Sequence, residues 1–190
     1  MKAMILSHPA LYQAYQAAGG FFGARITAIA DYLTLRPGMR VIDIGCGPGH
    51  LLQYLPDGID YNGFDIDETY IAYAQRSFGH LGQFHCRYFD AAASREFTGA
   101  DLVMMNGVLH HIGDEDLKAT LANIRNVLKD DGVLFTTDPC YREGQSSIAK
   151  WLIDNDRGEF VRDEDGYSRI LTDAFPRVKL AIREDLSRLP

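Results

Sequence analysis

The chain has 190 residues, of which 46% are hydrophobic and 24% charged, enough for one good core and too few for two. Its formal net charge of -7 argues against a partner held by its phosphates, and no Lys/Arg cluster offers the basic face that nucleic acid requires. Three well-separated cysteines, Cys46, Cys86 and Cys140, give neither a CxxC nor a zinc-ligand spacing, which fits a reduced compartment. No apolar run is long enough to span a membrane, and residues 1–7 are too short for a signal-peptide core. A soluble cytoplasmic protein is expected.

In chain order, residues 10–35 read as one or two helices broken near Gly19-Gly20, and Pro37-Gly38 turns the chain into the sheet. A first strand is expected over 40–44, followed by a helix from about 49 to 55. A second strand covers 60–65, a helix 68–78, a third strand 83–88 and a fourth 100–105. From 114 to 128, Leu117, Leu121, Ile124 and Leu128 recur at three- and four-residue steps and predict an amphipathic helix. Asp130-Asp131-Gly132 turns into a fifth strand over 133–137, and 178–184 reads as a sixth. The mixed charges of 154–165 read as a solvated loop.

Strands alternating with helices predict the α/β class, a doubly wound and mostly parallel sheet with helices on both faces. Such sheets bind ligands beyond the carboxyl ends of their strands, where strand order reverses. One segment there stands out: Val41-Ile42-Asp43-Ile44-Gly45-Cys46-Gly47-Pro48-Gly49. A buried strand runs into a turn whose glycines, Gly45 and Gly47, bend tightly and remove the side chains that would hold a ligand away. The dinucleotide fingerprint needs a glycine at position 50, which is His50, so a nicotinamide cofactor is disfavoured.

In these residues the chain resembles the class I, Rossmann-like S-adenosylmethionine-dependent methyltransferases, over nearly its whole length. The resemblance implies a turn of Gly45, Cys46 and Gly47 around the methionine portion of the cofactor, with Asp43 supporting its amino group. It assigns Asp65 to the ribose hydroxyls, with helix capping alongside Asp67 as the plainer role, and Ile66 to the adenine face. Asp90 would accept from the adenine amine, with the Ala91 N–H on a ring nitrogen, although Asp90 alone reads as a turn residue. Asn106 and Gly107, after the fourth strand, would flank the transferring methyl group.

The His110-His111 pair supplies no metal set, and of the two His111 is the candidate base or donor toward substrate, or else it orders the loop. Residues 1–36 would form a helical lid, with Tyr12 and Arg25 as candidates for the methionine carboxylate. Residues 37–138 would bind the cofactor, and 139–190 would carry substrate specificity and the final strand. Arg157 and Arg162 could present cations to an acidic substrate, though a surface loop is the plainer reading. The family's last antiparallel strand is not found, which would leave an exposed sheet edge. The implied reaction is methyl transfer to a small-molecule acceptor, leaving S-adenosylhomocysteine. A non-catalytic binding module of the same fold and a nicotinamide oxidoreductase are the alternatives.

Overall fold

The structure, a computed structural model, describes residues 20–155 and 158–186. Five strands, β1 (Arg40–Ile44), β2 (Asp60–Asp65), β3 (Gln83–Cys86), β4 (Ala100–Asn106) and β5 (Leu128–Thr137), form one sheet in the order β3-β2-β1-β4-β5. Every pairing is parallel. The order reverses between β1 and β4, so the crevice at their carboxyl ends is the expected ligand position.

Alternation along the strands divides the core in two. Ile42, Ile44, Phe64, Val103 and Met105 face one side, packed by α3 (Ala91–Glu96), α4 (Asp114–Val127) and α6 (Glu164–Ala174). Val41, Tyr61, Leu102 and Met104 face the other, packed by α1 (Phe21–Tyr32), a 3-10 turn (His50–Tyr54) and α2 (Glu68–Phe78). Strands buried on both faces read as nearly continuous apolar runs, and that is what made β1 and β4 legible. Asp67 starts α2 by accepting from the Thr69 and Tyr70 N–H groups at 2.9 and 3.0 Å. The remaining helix, α5 (Ser147–Asp154), buries none of its residues.

Several expectations need correction. Residues 178–184 form no strand; Arg183 instead ties this segment back to α1 through Asp31 at 2.9 Å. The expected turn at 130–132 lies inside β5, whose register against β4 shifts between Ala100 and Leu102. The helix after the glycine turn is a short 3-10 segment, and β3 ends at Cys86. Among the described residues no antiparallel strand closes the sheet, and β5 borders it.

Candidate active site

The glycine turn is built by hydrogen bonds to β2. The Gly45 and Cys46 N–H groups both donate to the Phe64 carbonyl, at 2.8 and 3.0 Å. Gly47 N–H donates to Asp65 Oδ2 at 2.8 Å, and Asp67 N–H to Asp65 Oδ1 at 2.9 Å. Asp65 therefore joins the turn to the start of α2, while Asp67 carries the capping. Desolvation pushes the Asp65 carboxyl above its usual range, against these backbone donors.

The three glycines have different duties, although all have positive φ. A Cβ on Gly45 would stand 2.5 Å from Val108 Cγ2, and one on Gly49 would stand 2.8 Å from Phe84 Cε1. Those two let neighbouring elements close on the turn. A Cβ on Gly47 would meet no atom of the described residues within 4 Å, although Gly47 itself is buried. Gly47 therefore has room beside it at the carboxyl end of β1, and it is the cradle of the turn. The Cys46 sulfur packs toward β2, where a Cβ on Gly63 would stand 2.9 Å from it, and burial pushes the thiol up.

Asp43 lies beneath this cradle, 2% exposed, and accepts from the Tyr61 hydroxyl at 2.7 Å. Burial pushes its carboxyl up to about 6, while the Tyr61 bond and the Arg25 charge pull it down. Arg25 reaches from α1 toward the end of β4, its Nη2 standing 3.4 Å from where a Gly107 Cβ would lie. Asn106 accepts from the Thr137 hydroxyl at 3.0 Å, and its Nδ2 is buried without a partner among the described residues. On the far side of the turn Ile66 is 57% exposed, as an aromatic ligand face requires. Asp90 caps α3, accepting from the Ala92 and Ala93 N–H groups at 3.0 and 2.9 Å, which holds its carboxyl below the usual range. Ala91 is the first residue of α3. Tyr12 and Arg157 lie outside the described residues.

The opposite bank of the crevice is formed by the loop after β4. His111 is exposed there, and its ring centroid lies 4.1 Å from that of buried His110. Arg162, 11% exposed, is turned inward and is not a solvated cation. It donates to the carbonyls of Leu109 at 3.0 Å, Phe160 at 3.0 Å and Ile112 at 2.8 Å, and to Asp114 at 2.7 Å. Phe160 N–H donates to the His110 carbonyl at 2.9 Å. The segment 158–162 is thereby strapped across the loop. Among the described residues no group of three or more His, Cys, Asp or Glu side chains could hold a metal ion.

Residues 42–134, from β1 into β5, match the family described as methyltransferase domain. That segment, which holds the glycine turn and Asp65, is similar to methyltransferase domains. The chain is 25% identical over 134 residues to the cyclopropane-fatty-acyl-phospholipid synthase of Escherichia coli K12, covering 68% of the chain and 34% of that enzyme. It is also 25% identical over 166 residues to phosphoethanolamine N-methyltransferase 1 of Triticum aestivum, covering 85% of the chain and 32% of that protein. The chain thus spans about a third of the length of these curated relatives. Its fold matches that of mitomycin 7-O-methyltransferase with a TM-score of 0.65 at 20% identity, covering 89% of this chain and 53% of the other.

Sequence reasoning missed Tyr61 and Asp138 in the site, and it read Arg162 as a surface cation and not as the anchor of the loop. Asp138 carried one usable signal: like Asp43 and Asp65, it is an acid at the carboxyl end of an apolar strand. The other two carried none, because their partners lie 18 and about 50 residues away.

Proposed function

We propose that this chain transfers the methyl group of S-adenosylmethionine to a small-molecule acceptor by in-line displacement. The observation that carries the reading is the Gly47 cradle. Its Cβ position is clear of the described residues, its N–H is ordered by Asp65, and a buried carboxylate lies beneath it. Bare backbone and carboxylates suit a ligand with an ammonium tail and a ribose, and the residues present fit that donor.

In this reading Gly45, Cys46 and Gly47 shape the seat of the amino-acid tail, and Asp43 supports its ammonium group. Arg25 faces the tail's carboxylate, a role for which Tyr12 is the other candidate. Asp65 accepts from the ribose hydroxyls with the acceptor sites its two backbone donors leave free. Ile66, Asp90 and Ala91 take the adenine, and Asn106 and Gly107 border the reacting centre. His111 stands at the acceptor side, at the mouth of the loop. The donor supplies an already activated methyl group, so the protein's work is alignment, worth roughly 7–11 kcal/mol in comparable systems.

Residues 37–138 serve as the donor half, 1–36 cover it, and 139–190 face the acceptor. The relatives named for phosphoethanolamine and mitomycin methylation support a small molecule as acceptor. We place the reaction in the cytoplasm, with three free cysteines as the supporting feature. Calorimetry tests the reading: S-adenosylhomocysteine should bind and NAD should not. A folded protein that ignores S-adenosylhomocysteine at millimolar concentration refutes it.

A further inference from the structure

Asp43 owes its place to β1, but its orientation is set from β2. In the pairing of the two strands Val41 stands opposite Tyr61 and Asp43 opposite Gly63, so Tyr61 lies diagonally behind the carboxylate on the same face. Gly63 leaves the tyrosine its path: a Cβ there would stand 3.0 Å from Tyr61 Cε1, and one on Gly82 would stand 2.8 Å from Tyr61 Cδ1. Phe84 closes a third side, its ring centroid 5.6 Å from that of Tyr61. The ring is walled in, and its hydroxyl donates to Asp43 Oδ2 at 2.7 Å.

Burial and the neighbouring Asp43 charge push the phenol well above its usual range, so it keeps its proton and is a permanent donor. Its single O–H commits Oδ2 and leaves Oδ1. Oδ1 has no donor among the described residues, yet it is not sealed, for the side-chain atoms buried there without a partner belong to His50, Asn106 and Asp138. The carboxylate thus has one oxygen held from behind and the other left for a ligand.

We propose that Tyr61 is the positioning residue of the donor site: it holds Asp43 Oδ2 so that Oδ1 faces the donor's ammonium group, and the pair selects ligands with a charged amino-acid tail. The inference rests on the methyl-transfer reading and adds to it a residue and a selectivity. Without the tyrosine hydroxyl the carboxylate loses a charge-assisted hydrogen bond, its protonated form gains, and an uncharged Asp43 attracts no ammonium. The other titratable groups facing Asp43 are Arg25 of α1, which lowers its pKa, Asp65 of β2, which raises it, and Cys46 of the turn. On its other side β4 places Met104 opposite Asp43. With the Asp43 carboxyl held at about 6, selectivity for the tail is full above that pH and is lost below it.

The test is calorimetry on the full chain with two probes, S-adenosylhomocysteine and methylthioadenosine, which share adenine, ribose and a thioether but differ in the amino-acid tail. A wild-type chain that does not bind S-adenosylhomocysteine defeats the methyl-transfer reading; binding that Tyr61→Phe leaves intact defeats this inference alone. Tyr61→Phe keeps the ring, and it should bind S-adenosylhomocysteine about tenfold more weakly and methylthioadenosine within about twofold of wild type. A like loss for both probes marks a packing role and overturns the proposal. Asp65 serves the ribose that both probes carry, so its titration cancels in the ratio of the two affinities. That ratio should fall from about pH 8 to about pH 5, and in Tyr61→Phe the fall should begin about one pH unit higher. Coincident profiles overturn the proposal. Should Tyr61→Phe not fold, carbon-13 spectra of the aspartate-labelled wild-type chain decide, with Asp43→Asn assigning the signal. The Asp43 carboxyl should titrate at lower pH with S-adenosylhomocysteine bound than with methylthioadenosine bound, and equal titration overturns the proposal.

Discussion

Replacing Gly47 with alanine separates the fold from the ligand site. Gly47 has φ +55, and its Cβ would meet no atom of the described residues within 4 Å. The cost to the fold is therefore only that of a left-handed backbone, about 1–2 kcal/mol. At about 2–4 °C per kcal/mol for a chain of this size, the unliganded protein should melt about 2–8 °C lower. The cost to the ligand is separate. The new methyl group stands in the cradle, and losing one close contact of about 1.4 kcal/mol already means tenfold weaker binding. Gly45→Ala and Gly49→Ala are the controls. Each must also displace Val108 or Phe84, adding about 1–3 kcal/mol of overpacking. Thermal unfolding without ligand and calorimetry with S-adenosylhomocysteine read the two effects separately. A Gly47→Ala protein that melts within this range and binds with undiminished affinity refutes the assignment of the cradle.

Four further outcomes are expected. Asp43 is held at about 6, above its unfolded value near 3.8, so its contribution favours folding at low pH and is lost as pH rises toward 6. Asp43→Asn should therefore gain up to about 3 kcal/mol at neutral pH, with the gain fading below about pH 4, while S-adenosylhomocysteine affinity falls at least about tenfold; melts at the two pH values and calorimetry check this. His50 has both ring nitrogens buried without a partner among the described residues, between the rings of Tyr73 and Phe78, and burial pulls its pKa down. The unfolded chain takes up a proton at about 6.5, so stability should fall as pH drops through that value, and urea unfolding of His50→Leu should show a gain of about 1 kcal/mol and a flatter profile. Arg162→Lys keeps the charge but loses the planar fork that serves three carbonyls, and should cost about 1–3 kcal/mol on thermal unfolding. Asp114→Asn, at a carboxylate 64% exposed, should cost less than about 1 kcal/mol.

The elements legible in the sequence were those with a period and a partner. β1, β2, α2 and α4 fall where apolar spacing placed them, because their burial follows the local pattern. Residues 178–184 had a strand-like composition, but a strand exists only against a neighbour, and none pairs there. Helix α3 was missed because six residues show no period, and its start coincides with an acid already assigned to adenine. In the site, Gly45, Gly47 and Asp65 are brought together as their spacing implied. Arg162 read as solvated because a charge run says nothing about carbonyls about 50 residues earlier. The contact of His110 with Asp138, 28 residues downstream, is visible in no local pattern, although the position of Asp138 at the end of an apolar strand is.

The anchoring of the 158–162 strap has a consequence for how acceptor preference can diverge. Arg162 and Phe160 grip main-chain carbonyls, which every residue supplies, so the side chains of the gripped loop can be exchanged without releasing it. Exposed Phe160, and the apolar Ile148 and Trp151 of α5, can then vary with the molecule being methylated while the donor half keeps its geometry. Recognition of the variable partner is mechanically insulated from recognition of the constant one.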